Sequence, residues 1–118
     1  THVLIKIADG IYKYNVEKST LYDYIPPVAA ELKRHGIQVW GWHYVYGMDP
    51  QGEARIAIQR VKDLELDGYV VDAEVEYKTA GRASAARAFM SKIRAELPNT
   101  PIALSSYRYP SYHPQFPW

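Results

Sequence analysis

The sequence has no cysteine, only two phenylalanines and two methionines, and no surplus of charge of either sign. Without cysteine there is no disulfide and no thiolate chemistry, and both an oxidising and a reducing compartment stay open. Lys plus Arg number 14 against 13 Asp plus Glu, a formal net charge of +1. A balance this even, with the basic residues scattered, gives no electrostatic reason to expect a nucleic acid or an anionic membrane as partner. No apolar run comes near the roughly 20 residues that span a bilayer. What the chain does have is tyrosine: 11 Tyr and 3 Trp among 118 residues, with 47% of the chain hydrophobic and 23% charged. Those proportions fit one folded domain, read here as residues 1–118. Amphipathic rings suit the stacking of sugars, and they equally suit half-buried rims.

Four short β-branched or aromatic runs read as strands: Val3 to Ala8, Gln38 to Tyr44, Tyr69 to Ala73 and Ile102 to Ser105. Their apolar content is nearly continuous, which points to a parallel sheet covered on both faces. Three amphipathic helices alternate with them. The first has Pro26 and Pro27 near its start, an apolar stripe of Ile25, Val28, Ala29 and Leu32, and Gly36 at its end. The second is capped by Asp49-Pro50 and carries Ala54, Ala57, Ile58, Val61 and Leu64. The third runs from Arg82 to Leu97, with Ala85, Ala86, Phe89 and Ile93 inward and Pro98 as its stop. Strand starts at Val3, Gln38, Tyr69 and Ile102 are separated by 35, 31 and 33 residues. That is the spacing of successive βαβ units, whose crossovers are right-handed. The fold class is therefore α/β, with parallel β/α units. An eight-unit barrel takes about 250 residues, so four strands and three helices correspond to about half of one. A small complete open sheet is the alternative.

In parallel β/α folds functional groups collect at the carboxyl ends of the strands. This rule selects Asp9 and Gly10, then His43, Tyr44 and Tyr46, then Asp72, Glu74 and Glu76, and finally Ser105, Ser106, Tyr107 and Arg108. The sharpest feature is Asp72-Ala73-Glu74. Residues two apart on a strand face the same way, which sets both carboxylates toward one mouth, about 6 to 7 Å apart along the backbone. Each disfavours ionisation of the other, so one can remain protonated near neutrality as a general acid while its neighbour stays charged. The bland reading is a pair of solvated acids bridged to Lys78 or Arg82. Lys6 lies mid-strand and is a partner for Asp72, and His43 either bonds a sugar or carboxylate or packs in the core. Tyr107, Tyr109 and Tyr112 with Trp118 form either a stacking platform or a self-packed loop. His2, His35, His43 and His113 show no ligand spacing, so no metal is expected. Ser105 and Ser106 lack the Gly-x-Ser-x-Gly elbow, and Gly10 and Gly47 match no phosphate loop. No cofactor is expected.

The stretch Asp67-Gly68-Tyr69-Val70-Val71-Asp72-Ala73-Glu74 is similar to the Asp-Gly-x-Asp-x-Asp-x-Glu strand of family 18 chitinases, with Val70 in place of the first inner Asp. Lacking that acid, the Asp-x-Glu pair more closely resembles the family 25 lysozymes, barrels that cleave the glycan chain of peptidoglycan. Val3-Leu4-Ile5-Lys6-Ile7-Ala8-Asp9-Gly10 looks like that family's apolar-Ile-Lys-Ala-x-Glu-Gly segment, and Trp42-His43-Tyr44 is similar to its Tyr-His-Phe strand. The resemblance covers residues 3–77 and departs from the family at Asp9, usually Glu, and Tyr44, usually Phe. It implies a glycoside hydrolase acting on a β-linked, N-acetylated polysaccharide. Glu74 would be the general acid, and Asp72 would orient the substrate's N-acetyl group for substrate-assisted attack. Asp9, Lys6, His43, Tyr44, Glu76 and Tyr107 would bind substrate. It also implies further strands, carrying other site acids, on either side of this segment, and an extracellular or phage-associated setting. Two alternatives stay open: a glycan-binding barrel without catalysis, and a fragment that needs its other half-barrel or a second copy of itself.

Overall fold

A computed structural model describes residues 1–117. Four strands run parallel: β1 (His2–Asp9), β3 (Gln38–Val45), β4 (Gly68–Ala73) and β5 (Ile102–Ser105). A fifth, β2 (Tyr12–Lys13), pairs antiparallel with Ala8 and Asp9. Two residues are too short a run to show alternation, which is why sequence patterning finds four strands rather than five. Helices α1 (Ile25–Arg34), α2 (Pro50–Asp63) and α3 (Arg82–Glu96) fill the connections, and the sheet order is β2-β1-β3-β4-β5.

The parallel strands lie side by side in chain order, with no reversal. Right-handed crossovers then put every helix on the same face. Burial follows that geometry. Ile7, Val39, Val45, Tyr69, Val71 and Ala73 project into one core with Ile25 and Ala29 of α1, Ala54, Ala57, Ile58 and Val61 of α2, and Ala86, Phe89 and Ile93 of α3. Val28, placed in the α1 stripe from the sequence, is 49% exposed instead. The opposite face of the sheet carries Leu4, Lys6, Trp40, Trp42, Tyr44, Val70, Asp72, Ala103 and Ser105, and no element of the described residues covers it. Leu4 is 49% exposed there, so the expectation of a sheet covered on both faces holds for one face only. The strands still read as continuously apolar because the open face is itself lined with Leu, Trp and Val.

The first strand contains a bulge. Lys6 pairs with Trp42, but Ala8 pairs with His43, so Ile7 is an extra residue. One extra residue reverses the alternation that follows it. Lys6 and Asp9, three apart, consequently lie on the same open face, where their side chains form an ion pair at 2.6 Å. The expected Lys6–Asp72 pairing does not occur, because in a regular strand Asp9 would have faced the helices.

The bulge leaves a carbonyl to satisfy. Ile7 O accepts from the amide of Tyr14 at 2.9 Å and from Nε of Arg60 at 3.1 Å. Arg60, buried on α2, also donates to Tyr14 O at 3.1 Å and pairs with Asp23. Burial alone would raise the Asp23 carboxyl, but the Arg60 hydrogen bond and charge hold it below the usual range. One guanidinium thus joins α2 to the bulge and to both ends of the excursion between β2 and α1. Within that excursion Leu21 has φ +60°, a strained value for a bulky residue, and its amide is held by Glu17 O at 2.8 Å. Replacing Arg60 with Met should destabilise the fold by about 3 kcal/mol, measured by urea denaturation, because the Asp23 carboxylate loses its cation, Tyr14 O loses its Arg60 donor, and Ile7 O keeps only the Tyr14 amide.

His43 faces the helices and is fully buried. Its Nε2 contacts Gly10 O at 2.7 Å and its Nδ1 contacts the Tyr69 hydroxyl at 2.8 Å. A carbonyl only accepts, so Nε2 carries the proton and Nδ1 receives the Tyr69 O–H. Burial lowers the imidazole pKa from 6.5 to about 4. Between those values the unfolded chain binds a proton that the folded chain does not, so stability is complete above pH 6.5 and is lost as pH falls toward 4. The loss is on the order of 3 kcal/mol. Unfolding free energies across this window should therefore fall more steeply in the parent than in a His43→Gln variant.

Candidate functional site

Parallel register sets a row across the open face. Asp9 pairs with Tyr44, Tyr44 with Asp72, and Asp72 with Ser105. All four stand at the carboxyl ends of their strands, where chain direction reverses into loops. Asp72 helps to line a hollow of about 250 Å³ with Leu4, Trp42, Val70 and Ser105. The backbone leaves β4 at Glu74, and a short 3-10 turn, Val75–Lys78, carries Glu76 back toward the sheet.

Asp72 and Glu74 meet. The Glu74 pKa is raised, first by burial and then by its interaction with the neighbouring Asp72 carboxyl. Oδ1 of Asp72 is buried and has no hydrogen-bond partner among the described residues. Glu76 completes the group: the Tyr44 hydroxyl donates to its Oε2 at 2.8 Å. Burial and the surrounding acids push the Tyr44 phenol well up, so it stays a donor at every physiological pH.

On the β1 side, Asp9 accepts from the Tyr46 hydroxyl at 2.7 Å as well as from Lys6. Burial would raise Asp9, but these two donors hold it low, and Asp9 in turn pushes the Tyr46 phenol up to about 12. The Lys6 ammonium lies over the rings of Tyr14 at 4.3 Å and Trp42 at 4.7 Å. The rings of Tyr44 and Tyr46 are 5.0 Å apart, joining the two clusters. The site therefore brings together Asp9, Lys6, Tyr44, Asp72, Glu74 and Glu76.

Two expected members stand elsewhere. His43 is on the helix side with both nitrogens occupied, as described above. Tyr107 is engaged by Lys78, whose ammonium lies 4.1 Å from its ring, and by His113, ring to ring at 5.5 Å. Tyr109 and Tyr112 pack edge to face at 5.4 Å, and Trp118 lies outside the described residues.

Other residues shape the site: Tyr46, Gly10 and Ser106, which the strand-end rule selects, and Glu53, which it does not. Tyr46 sits at the β3 tip. Glu53, buried in the first turn of α2, accepts from the amides of Tyr46 at 2.7 Å and Gly47 at 2.8 Å, fixing the turn that aims Tyr46 at Asp9. An acid in a first helical turn ordinarily reads as a dipole partner, so the sequence holds no sign of this role. Gly10, at φ +56°, takes a left-handed conformation that favours glycine, and a Cβ there would stand a tight 3.2 Å from the Tyr46 ring. Ser106 donates to Ala73 O at 2.6 Å and braces the backbone between the two acids.

Neither protein-family models nor curated proteins give a match to this chain. Among the described residues no helix is long and apolar enough to cross a membrane.

Such a pair can keep one proton between two carboxyl groups and deliver it from Glu74. Removing the charge of Asp72 should move the Glu74 pKa down. An Asp72→Asn variant followed by NMR of the Glu74 carboxyl carbon will show this, and an unchanged midpoint would mean that burial alone sets it.

Proposed function

We propose that this chain forms part of a barrel-type glycoside hydrolase that cleaves a β-linked, N-acetylated polysaccharide. Glu74 protonates the glycosidic oxygen, and Asp72 accepts the N–H of the acetamido group while that group's oxygen attacks the anomeric carbon. The observation that carries this reading is the unpartnered buried Oδ1 of Asp72, beside a carboxyl group whose proton is retained to higher pH. A buried acceptor without a donor is costly, and an amide N–H supplied by substrate satisfies it. Substrate assistance needs just these two functions: a fixed acceptor for the amide and an acid beside it.

Further support comes from the singly wound sheet. Helices on one face and an uncovered face lined by Trp40, Trp42 and Val70 are what consecutive units of a β/α barrel present to the barrel interior. The resemblance of residues 3–77 to family 25 lysozymes adds weight in the same direction. Aromatic rings and fixed hydroxyls at the mouth, from Tyr14, Trp42, Tyr44 and Tyr46, are the groups that grip a sugar.

Hydrolysis of chitin oligomers and of cell-wall glycan tests the reading. A Glu74→Gln variant should lose roughly a hundred-fold to ten-thousand-fold in kcat, the usual contribution of a general acid. Turnover that survives the change removes Glu74 from the role. Sugar binding by the parent with no turnover favours a glycan-binding barrel instead.

A further inference from the structure

A second hollow, of about 330 Å³, opens beside Asp9 between the β1–β2 turn and the start of α2. Its walls include Asp9, Tyr46 and Asp49, and its lips are Ile11, Tyr12 and Met48. The lips are conspicuously apolar for their exposure: Tyr12 is 72% exposed, Met48 81% and Ile11 44%. Nothing in the core uses them. The walls, by contrast, are polar and held in place. Tyr46 donates to Asp9, Glu53 clamps the turn behind Tyr46, and Asp49 spends Oδ1 on the amide of Gly52 at 2.8 Å, which leaves lone pairs on Oδ2.

We infer that this hollow is a distal sugar subsite, which holds one neutral pyranose ring of the same glycan that reaches Asp72 and Glu74. The inference rests on the glycan reading above. Its volume lies at the low end of small-molecule sites, which run from roughly 300 to 1,000 Å³, so it takes one ring rather than several. Apolar lips over a floor of acceptors match a pyranose, whose C–H face packs on Tyr12 and Met48 while its hydroxyls donate to Asp9 and Asp49. An anionic ligand would meet two carboxylates, and a hydrocarbon would strip water from them. The hollow neighbours the acids: its wall residue Tyr46 lies 5.0 Å, ring to ring, from Tyr44, whose hydroxyl donates to Glu76. Asp9 and Asp72 are two strand spacings apart, roughly 10 Å. That span suits an oligosaccharide, not a single ring.

The two methionines of the chain make the test direct, since Met48 is on the lip and Met90 lines a separate apolar cavity beside α3. Methyl-labelled Glu74→Gln protein, which does not consume the sugar, is titrated with the N-acetylglucosamine tetrasaccharide. The Met48 signal should shift while Met90 stays still, and Tyr12→Ala should weaken binding by about tenfold. Because Tyr12 is mostly exposed, its replacement leaves the fold intact. A Met48 signal that does not move, a shift at Met90 alone, or unchanged affinity in Tyr12→Ala overturns the subsite. These results separate from those of the preceding reading: loss of hydrolysis in Glu74→Gln with a silent Met48 sinks only the subsite. A Met48 response in a protein whose parent shows no turnover sinks only the acid chemistry.

Discussion

The buried guanidinium of Arg60 answers a problem that the first strand creates. An extra residue at Ile7 breaks the ladder and turns a carbonyl inside the fold, and Arg60 shares it with the Tyr14 amide while binding Asp23 and Tyr14 O. The bulge is what puts Asp9 on the same face as Lys6, Tyr44 and Asp72. The half of the site on β1 therefore depends on a cation that lies on the other side of the sheet and touches none of the site's side chains. Removing a buried charge that has several partners is costly, because every partner is left desolvated.

A second constraint separates the faces. On the helix side, His43 and Tyr69 satisfy one another in a dry environment, and burial keeps the imidazole neutral. On the open side, acids and phenols are arranged so that each fixes its neighbour: Tyr46 on Asp9, Tyr44 on Glu76, Asp72 on Glu74. Adjacent residues of β3 thus perform unrelated tasks. The register of a parallel sheet makes this division automatic, since alternate residues along a strand face opposite layers.

Much of this was legible in the sequence. The βαβ spacing, the Asp49-Pro50 cap and the apolar stripe of α2 were read correctly because they follow from local rules that tertiary structure did not override. Asp72 stands at a strand end as read, but Glu74 lies one residue past the strand, at the entry to the 3-10 turn. The bulge was not legible, since nothing in Lys6-Ile7-Ala8-Asp9 distinguishes a regular strand from one with an extra residue. The partner of Lys6 was missed for that reason. Whether His43 joins the core or the site was left open, because three consecutive aromatic side chains, Trp42-His43-Tyr44, give no alternation to say which of them faces the helices. Glu53 and Arg60 were invisible for a different reason: both act on backbone atoms, which carry no residue signature, and Arg60 does so across 53 residues of sequence.

The ammonium of Lys6, pinned between the rings of Tyr14 and Trp42 and bonded to Asp9, makes an indole the immediate neighbour of the site's charges. Indole emission responds to the field across the ring. Any occupant that draws Asp9 away, or lets Lys6 swing out, will change the colour of light that Trp42 emits, so the protein carries an optical gauge beside its binding surface without any label attached.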